Sequence, residues 1–230
     1  MNAALILAGG TGERLSEIGI PKQYYIIGKP VIIYSLLAFQ ECENISIISI
    51  TASPNWQPEI KRWIEEYGIS KFKSFALPGP TRQHSVFNGL TALCEIMNDN
   101  DFVIIHDAAR PFVTKQDISR VIQASAGFDG ATPVININDT VYQSKDKKQI
   151  TALLNRDELF AGQTPECYNF GKYLLAHKRL SDEDIGNIRG SSEVAFNSGM
   201  NIGLCEGNID NFKITTMRDL EYSKYRMGSI

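Results

Sequence analysis

The chain has 230 residues and a formal charge of −3, with 43% hydrophobic residues, 21% charged residues, 18 glycines and 9 prolines. This balance excludes disordered, collagen-like and coiled-coil classes. Without a general cationic field there is no basis for holding nucleic acid or an anionic membrane, so any phosphate must be bound locally.

The opening AALILAGG is a short apolar run closed by paired glycines, which suits a buried strand turning into a loop. GKPVIIYSLLAFQE follows with apolar positions at helical spacing, and ISIISITAS is a β-branched strand. PNWQPEIKRWIEEYG reads as a helix, KFKSFALPG as a strand and turn, TRQHSVFNGLTALCEIM as a helix, and DFVIIHDAARP as a strand whose apolar body stops at His106 and Asp107. The β-α-β-α-β-α-β order predicts an α/β fold with a doubly wound, mostly parallel sheet and ligands at the C-terminal strand ends. The loop from Gly9 to Lys22, the turn from Gly79 to Ser85, and the segment from His106 to Arg110 all fall there.

Residues 135–161 alternate polar and apolar around a lysine-rich tip, with Lys145, Lys147 and Lys148 as solvated tip residues. They read as a β-hairpin arm whose apolar side needs a partner, so a homodimer is expected. No repeat or linker interrupts the chain, and residues 1–230 are read as one domain carrying this arm. Cys42, Cys94, Cys167 and Cys205 show neither C-x-x-C nor zinc spacing, so four reduced thiols and a cytoplasmic location are expected. No apolar run approaches the roughly 18 residues that cross a bilayer, and the N-terminal stretch is too short for a signal sequence.

The strongest chemical signal is AGGTGERLSEIGIPKQ. Gly9, Gly10 and Gly12 let backbone N–H groups approach a phosphate, and Arg14 and Lys22 add cations. Leu15 occupies the third glycine position of the dinucleotide fingerprint, and no P-loop pattern occurs. A glycine-rich turn with two solvated cations is the plain alternative, although Pro21 preorganises the backbone before Lys22 in a way a surface lysine does not need.

LAGGTGERL followed by PKQY and GKPVIIYSL resembles the 2-C-methyl-D-erythritol 4-phosphate cytidylyltransferases and the related ribitol-5-phosphate cytidylyltransferases. GPTRQHSVFNGL, HDAARPF, DTV with NRDELFAGQTPE, and DNFKITTMRDL continue the likeness in the expected order over most of the chain. The resemblance implies a Rossmann-like nucleotidyltransferase fold and transfer of CMP from CTP to a short polyol phosphate. Pyrophosphate would leave with Mg2+ bound mainly through the phosphates, and the protein itself would supply no dedicated metal cage. By the same resemblance, the backbone at Ala8, Gly9, Gly10 and Gly12 holds CTP, while Arg14, Lys22 and Lys213 act on the reacting phosphates. Gly79 and Ser85 match positions reading cytosine and ribose, and Asp107 serves nucleotide and acceptor. Arg110 lies near the acceptor, and Thr140 and Arg156 reach across a dimer to its phosphate. Ser85 also suits an ordinary helix start, Arg82 is as readily structural as functional, and Arg110 suits an ion pair with Asp107. His106 reads as a core residue.

Two departures stand out. Pro80 replaces a residue that is commonly acidic in the family, and Ser191, Ser192 and Glu193 stand where T-D-E/A is usual. Methylerythritol 4-phosphate activation for isoprenoid precursors is the first reading, and activation of ribitol 5-phosphate or a similar polyol phosphate for capsule or teichoic polymers is the second. A noncatalytic nucleotide-binding regulator is the alternative from another class.

Overall fold

A computed structural model describes residues 1–11 and 19–227. Strand β1 (Asn2–Leu7) leads through a 3-10 turn at Lys22–Tyr24 and the short strands β2 (Ile26–Ile27) and β3 (Lys29–Pro30) into α1 (Val31–Glu41). Then follow β4 (Ile47–Thr51), α2 (Gln57–Glu66), β5 (Phe72–Ala76), α3 (Arg82–Leu93), β6 (Phe102–Asp107) and α4 (Lys115–Ala124). The second half contains β7 (Gly130–Asn136), β8 (Val141–Gln143), β9 (Ala152–Leu154), a 3-10 turn at Arg156–Glu158, β10 (Phe160–Gly162) and β11 (Glu166–Asn169). It ends with α5 (Phe170–Lys178), α6 (Asp182–Asn187), α7 (Ser191–Asn197), β12 (Ile202–Glu206) and α8 (Met217–Met227).

The strands before each crossover pair in parallel in the order β5-β4-β1-β6, as the alternating pattern predicts. Beyond β6 lies β11, antiparallel both to β6 and to β7, and β12 then pairs with β7 in parallel. The α/β reading therefore holds, with a single antiparallel path through β10 and β11 making the sheet mixed.

Strand periodicity decides where the two cores form. In β1, Ala4 and Ile6 face one cluster with Ile32, Leu36 and Phe39 of α1, Ile60 of α2 and Val121 of α4. Ala3 and Leu5 face the opposite cluster, with Leu90 of α3, Tyr173 of α5 and Val194 of α7. Both faces of the sheet are thus covered, which explains why β1 carries no polar alternation. Side-chain caps mark several helix starts: Thr114 and Asp117 form a reciprocal capping box on α4, and Ser181 and Asp184 do the same on α6.

The segment expected to form an arm contains β8 and β9, paired antiparallel as a separate two-stranded hairpin around residues 144–151. Its flanks, Ile135–Asn136 and Phe160–Ala161, belong to β7 and β10 in the main sheet. Cys42, Cys94, Cys167 and Cys205 are free, and among the described residues no helix is long and apolar enough to cross a membrane.

Two buried histidines give the fold a pH dependence. Burial pushes His106 down from 6.5 to about 3, and His177 to about 4. Between those values and 6.5 the unfolded chain binds more protons than the folded one, so stability falls as pH drops through that window. Urea unfolding is expected to give a smaller free energy at pH 5 than at pH 7, at about 1.4 kcal/mol per pH unit for each ring where the shift applies in full. The difference should shrink in a His106→Asn variant; equal stability at both pH values would contradict the assignment.

Candidate functional site

The C-terminal ends of β1, β5 and β6 meet at a cavity of ≈ 600 Å³. Gly9, Gly10 and Thr11 enter from the loop after β1, and Gly79 to Arg82 and Ser85 from the turn into α3. Leu7 ends β1, Asp107 ends β6 and Ala109 follows it, and Lys22, Gln23, Arg189 and Lys213 complete the lining.

At two positions in these loops the backbone is packed too tightly for a side chain. A Cβ on Gly9 would lie 2.4 Å from the Cβ of Pro78, and one on Gly79 would lie 2.2 Å from the Cβ of His84. Glycine at both places lets the β1 and β5 loops approach the same space. Ser85 fixes the second loop: its hydroxyl accepts from the Gly79 N–H at 3.0 Å and donates to the Thr81 carbonyl at 3.0 Å.

The PKQY run shows how Lys22 is aimed. Pro21 is extended, the chain then turns so that the Tyr24 N–H donates to the Pro21 carbonyl at 2.9 Å, and Lys22 is left only 9% exposed on the cavity wall. Gln23 Nε2 donates to the carbonyls of Ala8 and Gly10, both at 2.7 Å, and the Tyr24 hydroxyl donates to Ala8 at 2.7 Å. Tyr24 itself stacks on Trp56 with ring centroids 4.3 Å apart. The lysine is therefore carried on a turn stapled to the glycine loop. Gln23 and Tyr24 belong to a motif visible in the sequence, but nothing local indicates that they tie its two halves together.

Ala8 sits at the base of the glycine loop and braces it. Ala8 donates its N–H to Thr51 at 2.8 Å and spends its carbonyl on Gln23 and Tyr24. It supports the loop from behind instead of lining the cavity. Gly12 and Arg14 lie outside the described residues.

Asp107 organises the other wall. Its Oδ1 accepts from Arg82 Nε at 3.0 Å, its Oδ2 accepts from Lys213 Nζ at 2.8 Å, and Arg110 Nε lies at 4.0 Å. Burial alone would raise the Asp107 carboxyl, but Arg82, Lys213 and Arg110 override it and hold it well below the usual carboxylate range. Lys213 lies in the irregular segment after β12, held by the Ile214 N–H donating to Ala109 at 2.9 Å. Its charge is balanced within the chain by Asp107.

Arg82 has wider reach than the sequence indicates. It donates to Ser191 Oγ through Nη1 at 2.6 Å and places Nη2 3.7 Å from Glu166 Oε2. Glu166 carries no sequence signal as a site residue. Burial raises its carboxyl, with Arg82 and hydrogen bonds from Ser191 and Tyr168 opposing. Arg110 donates through Nη1 to the Asn211 carbonyl at 2.8 Å. His106, next to Asp107, is fully buried, with Nδ1 3.1 Å from Thr164 Oγ1 and Nε2 3.2 Å from the Arg110 carbonyl.

Thr140 and Arg156 are exposed and do not line this cavity; Arg156 Nη1 donates to the Asn138 carbonyl at 2.6 Å on the hairpin side.

The geometry is that of a cation-rich cleft at parallel strand ends, and known proteins share both the sequence and the fold. The family model described as IspD, 2-C-methyl-D-erythritol 4-phosphate cytidylyltransferase, matches residues 2–229. A 2-C-methyl-D-erythritol 4-phosphate cytidylyltransferase of Clostridium botulinum (strain Langeland) is 34% identical over 220 residues, covering 95% of this chain and 94% of the relative. The crystal structure of the Francisella tularensis enzyme of that name is 26% identical with a TM-score of 0.80, covering 98% of this chain and 99% of that one. The Thermus thermophilus structure, at 23% identity and a TM-score of 0.74 over 99% of both chains, shares the fold. Members of the matched family are cytidylyltransferases, a kind of nucleotidyltransferase, and this chain belongs to that 2-C-methyl-D-erythritol 4-phosphate cytidylyltransferase family.

Proposed function

We propose that the chain transfers CMP from CTP to 2-C-methyl-D-erythritol 4-phosphate, releasing pyrophosphate, in isoprenoid precursor synthesis. The observation that carries this reading is the cavity in which the glycine loop and Lys22 face an Asp107-clamped Lys213. In the reaction an oxygen of the acceptor phosphate forms a bond to the α-phosphorus of CTP, and the bond from that phosphorus to the bridging oxygen of pyrophosphate breaks. The attacking phosphate is already ionised, so no side chain has to remove a proton. What remains is in-line positioning and stabilisation of charge on phosphorus. Gly9, Gly10 and Gly12 would supply backbone donors, and Arg14, Lys22 and Lys213 cationic ones. Gly79 and Ser85 would hold the base and ribose side, with Asp107 and Arg110 towards the acceptor.

Magnesium fits this donor set as a cation carried on the nucleotide phosphates. Asp107, a carboxylate on the cavity wall, is engaged by Arg82 and Lys213. Asp107 would reach the hydration shell of such an ion, which would neutralise phosphate charge.

Because Thr140 and Arg156 lie outside the cavity of their own chain, their use on the acceptor phosphate requires a second copy, with the β8–β9 hairpin crossing a twofold axis. The chain's free cysteines agree with work in the cytoplasm.

The direct test is pyrophosphate release from CTP and Mg2+ with methylerythritol 4-phosphate, ribitol 5-phosphate and glycerol 3-phosphate, with UTP and ATP as controls. Preference for CTP and methylerythritol 4-phosphate supports the proposal. Ribitol 5-phosphate is the second reading because Ser191, Ser192 and Glu193 depart from the usual segment, and a preference for it would move the enzyme to polyol polymers. CTP binding without release would indicate a regulator. Lys22→Ala is expected to lower kcat by about 10²–10³ while CTP still binds, as read by steady-state kinetics and calorimetry; unchanged turnover would remove the lysine from the chemistry. Arg156→Ala is expected to raise the acceptor KM about tenfold with little change for CTP. Equal effects on both would argue against an acceptor clamp.

A further inference from the structure

Arg189 lines the cavity, yet neither the glycine loop nor the Asp107 cluster accounts for it. It sits in the connector between α6 and α7, a segment whose sequence pattern departs from the family. Its charge differs in circumstance from those of Arg82 and Lys213, which are paired with Asp107 and, for Arg82, also face Glu166. Among the described residues Arg189 enters no salt bridge, although it is an exposed residue on the cavity wall. A cation facing a cleft without a carboxylate partner is available to a ligand anion.

The connector holds this arginine on a fixed base. The Arg189 backbone N–H donates to Glu193 Oε2 at 2.9 Å, closing the segment onto the first turn of α7. Two residues on, Ser191 is held from both sides: its hydroxyl accepts from Arg82, and its carbonyl accepts from the buried Tyr173 hydroxyl at 3.0 Å. The guanidinium therefore projects from a backbone fixed to the same Arg82 that grips Asp107.

Sheet order shows which part of the substrate it meets. The glycine loop follows β1, and the Gly79–Ser85 turn follows β5, two strands further from β6. The α6–α7 connector approaches from the opposite half, since α7 packs on α5 and β12 beyond β6. A nucleotide spanning the β1 and β5 loops leaves the Asp107 side for the second substrate. Resting on the cytidylyl-transfer reading, we infer that Arg189 is a substrate-binding residue for the anionic acceptor, contacting its phosphate group from the α6–α7 side.

The experiment compares Arg189→Ala and Arg189→Lys with the wild type, using pyrophosphate release at varied methylerythritol 4-phosphate and varied CTP. Expected is an acceptor KM about tenfold higher in Arg189→Ala, a CTP KM within about twofold, and partial recovery in Arg189→Lys. An unchanged acceptor KM, or a rise confined to CTP, would overturn the inference, the latter placing the arginine on the nucleotide. Absence of turnover in the wild type would count against the proposed activity, and calorimetric titration with methylerythritol 4-phosphate would still read Arg189. Binding about tenfold weaker in Arg189→Ala supports the contact, and equal binding overturns it.

Discussion

The buried carboxylate of Asp107 sets the arrangement of the site. Asp107 closes β6, and its two oxygens receive cations from opposite directions in the chain: Arg82 from α3 and Lys213 from beyond β12. Without that negative charge, Arg82, Arg110 and Lys213 would lie close together in a half-buried cleft with mutual repulsion. With it, each is held in a fixed direction before any ligand arrives. Such preorganisation is what transfer between two phosphates requires, because charge on phosphorus is then met by donors that need not reorganise.

The constraint spreads through hydrogen bonds that join distant elements. Arg82 extends it to Ser191 and Glu166, Tyr173 carries it from Ser191 into α5, and Gln83 continues to Tyr173 and His177 with Nε2 distances of 3.2 and 2.6 Å. On the opposite wall, Gln23 and Tyr24 bind the lysine turn to the backbone of the glycine loop. The two walls are thus braced separately, one by an ion cluster and one by side-chain bonds to main-chain carbonyls. A polar cleft built this way avoids leaving its charges buried and unpaired, a condition that costs several kcal/mol.

Much of this frame is legible in the sequence because it is local. The apolar run of β1, the β-branched β4 and the helical spacing between them announce parallel crossovers, and the glycine loop is recognisable by composition. The antiparallel insertion of β10 and β11 is not announced, since a short strand carries no mark of its direction. Nor is the partner of Lys213 announced, since it lies 106 residues away at Asp107. Arg82 meets Ser191 across 109 residues and Glu166 on another strand, so its reach emerges only from the tertiary arrangement. The glycine-rich pattern likewise marks a loop that can approach phosphate without showing that the Ala8 amide is bonded to Thr51.

The most direct test of the account is the Asp107→Asn variant, which keeps shape and hydrogen-bonding capacity while removing the charge that orders three cations. Thermal unfolding should confirm that the variant is folded, and steady-state pyrophosphate release should fall by at least about 100-fold in kcat/KM for the acceptor. A folded variant with near wild-type kcat/KM would contradict the claim that this carboxylate organises the site.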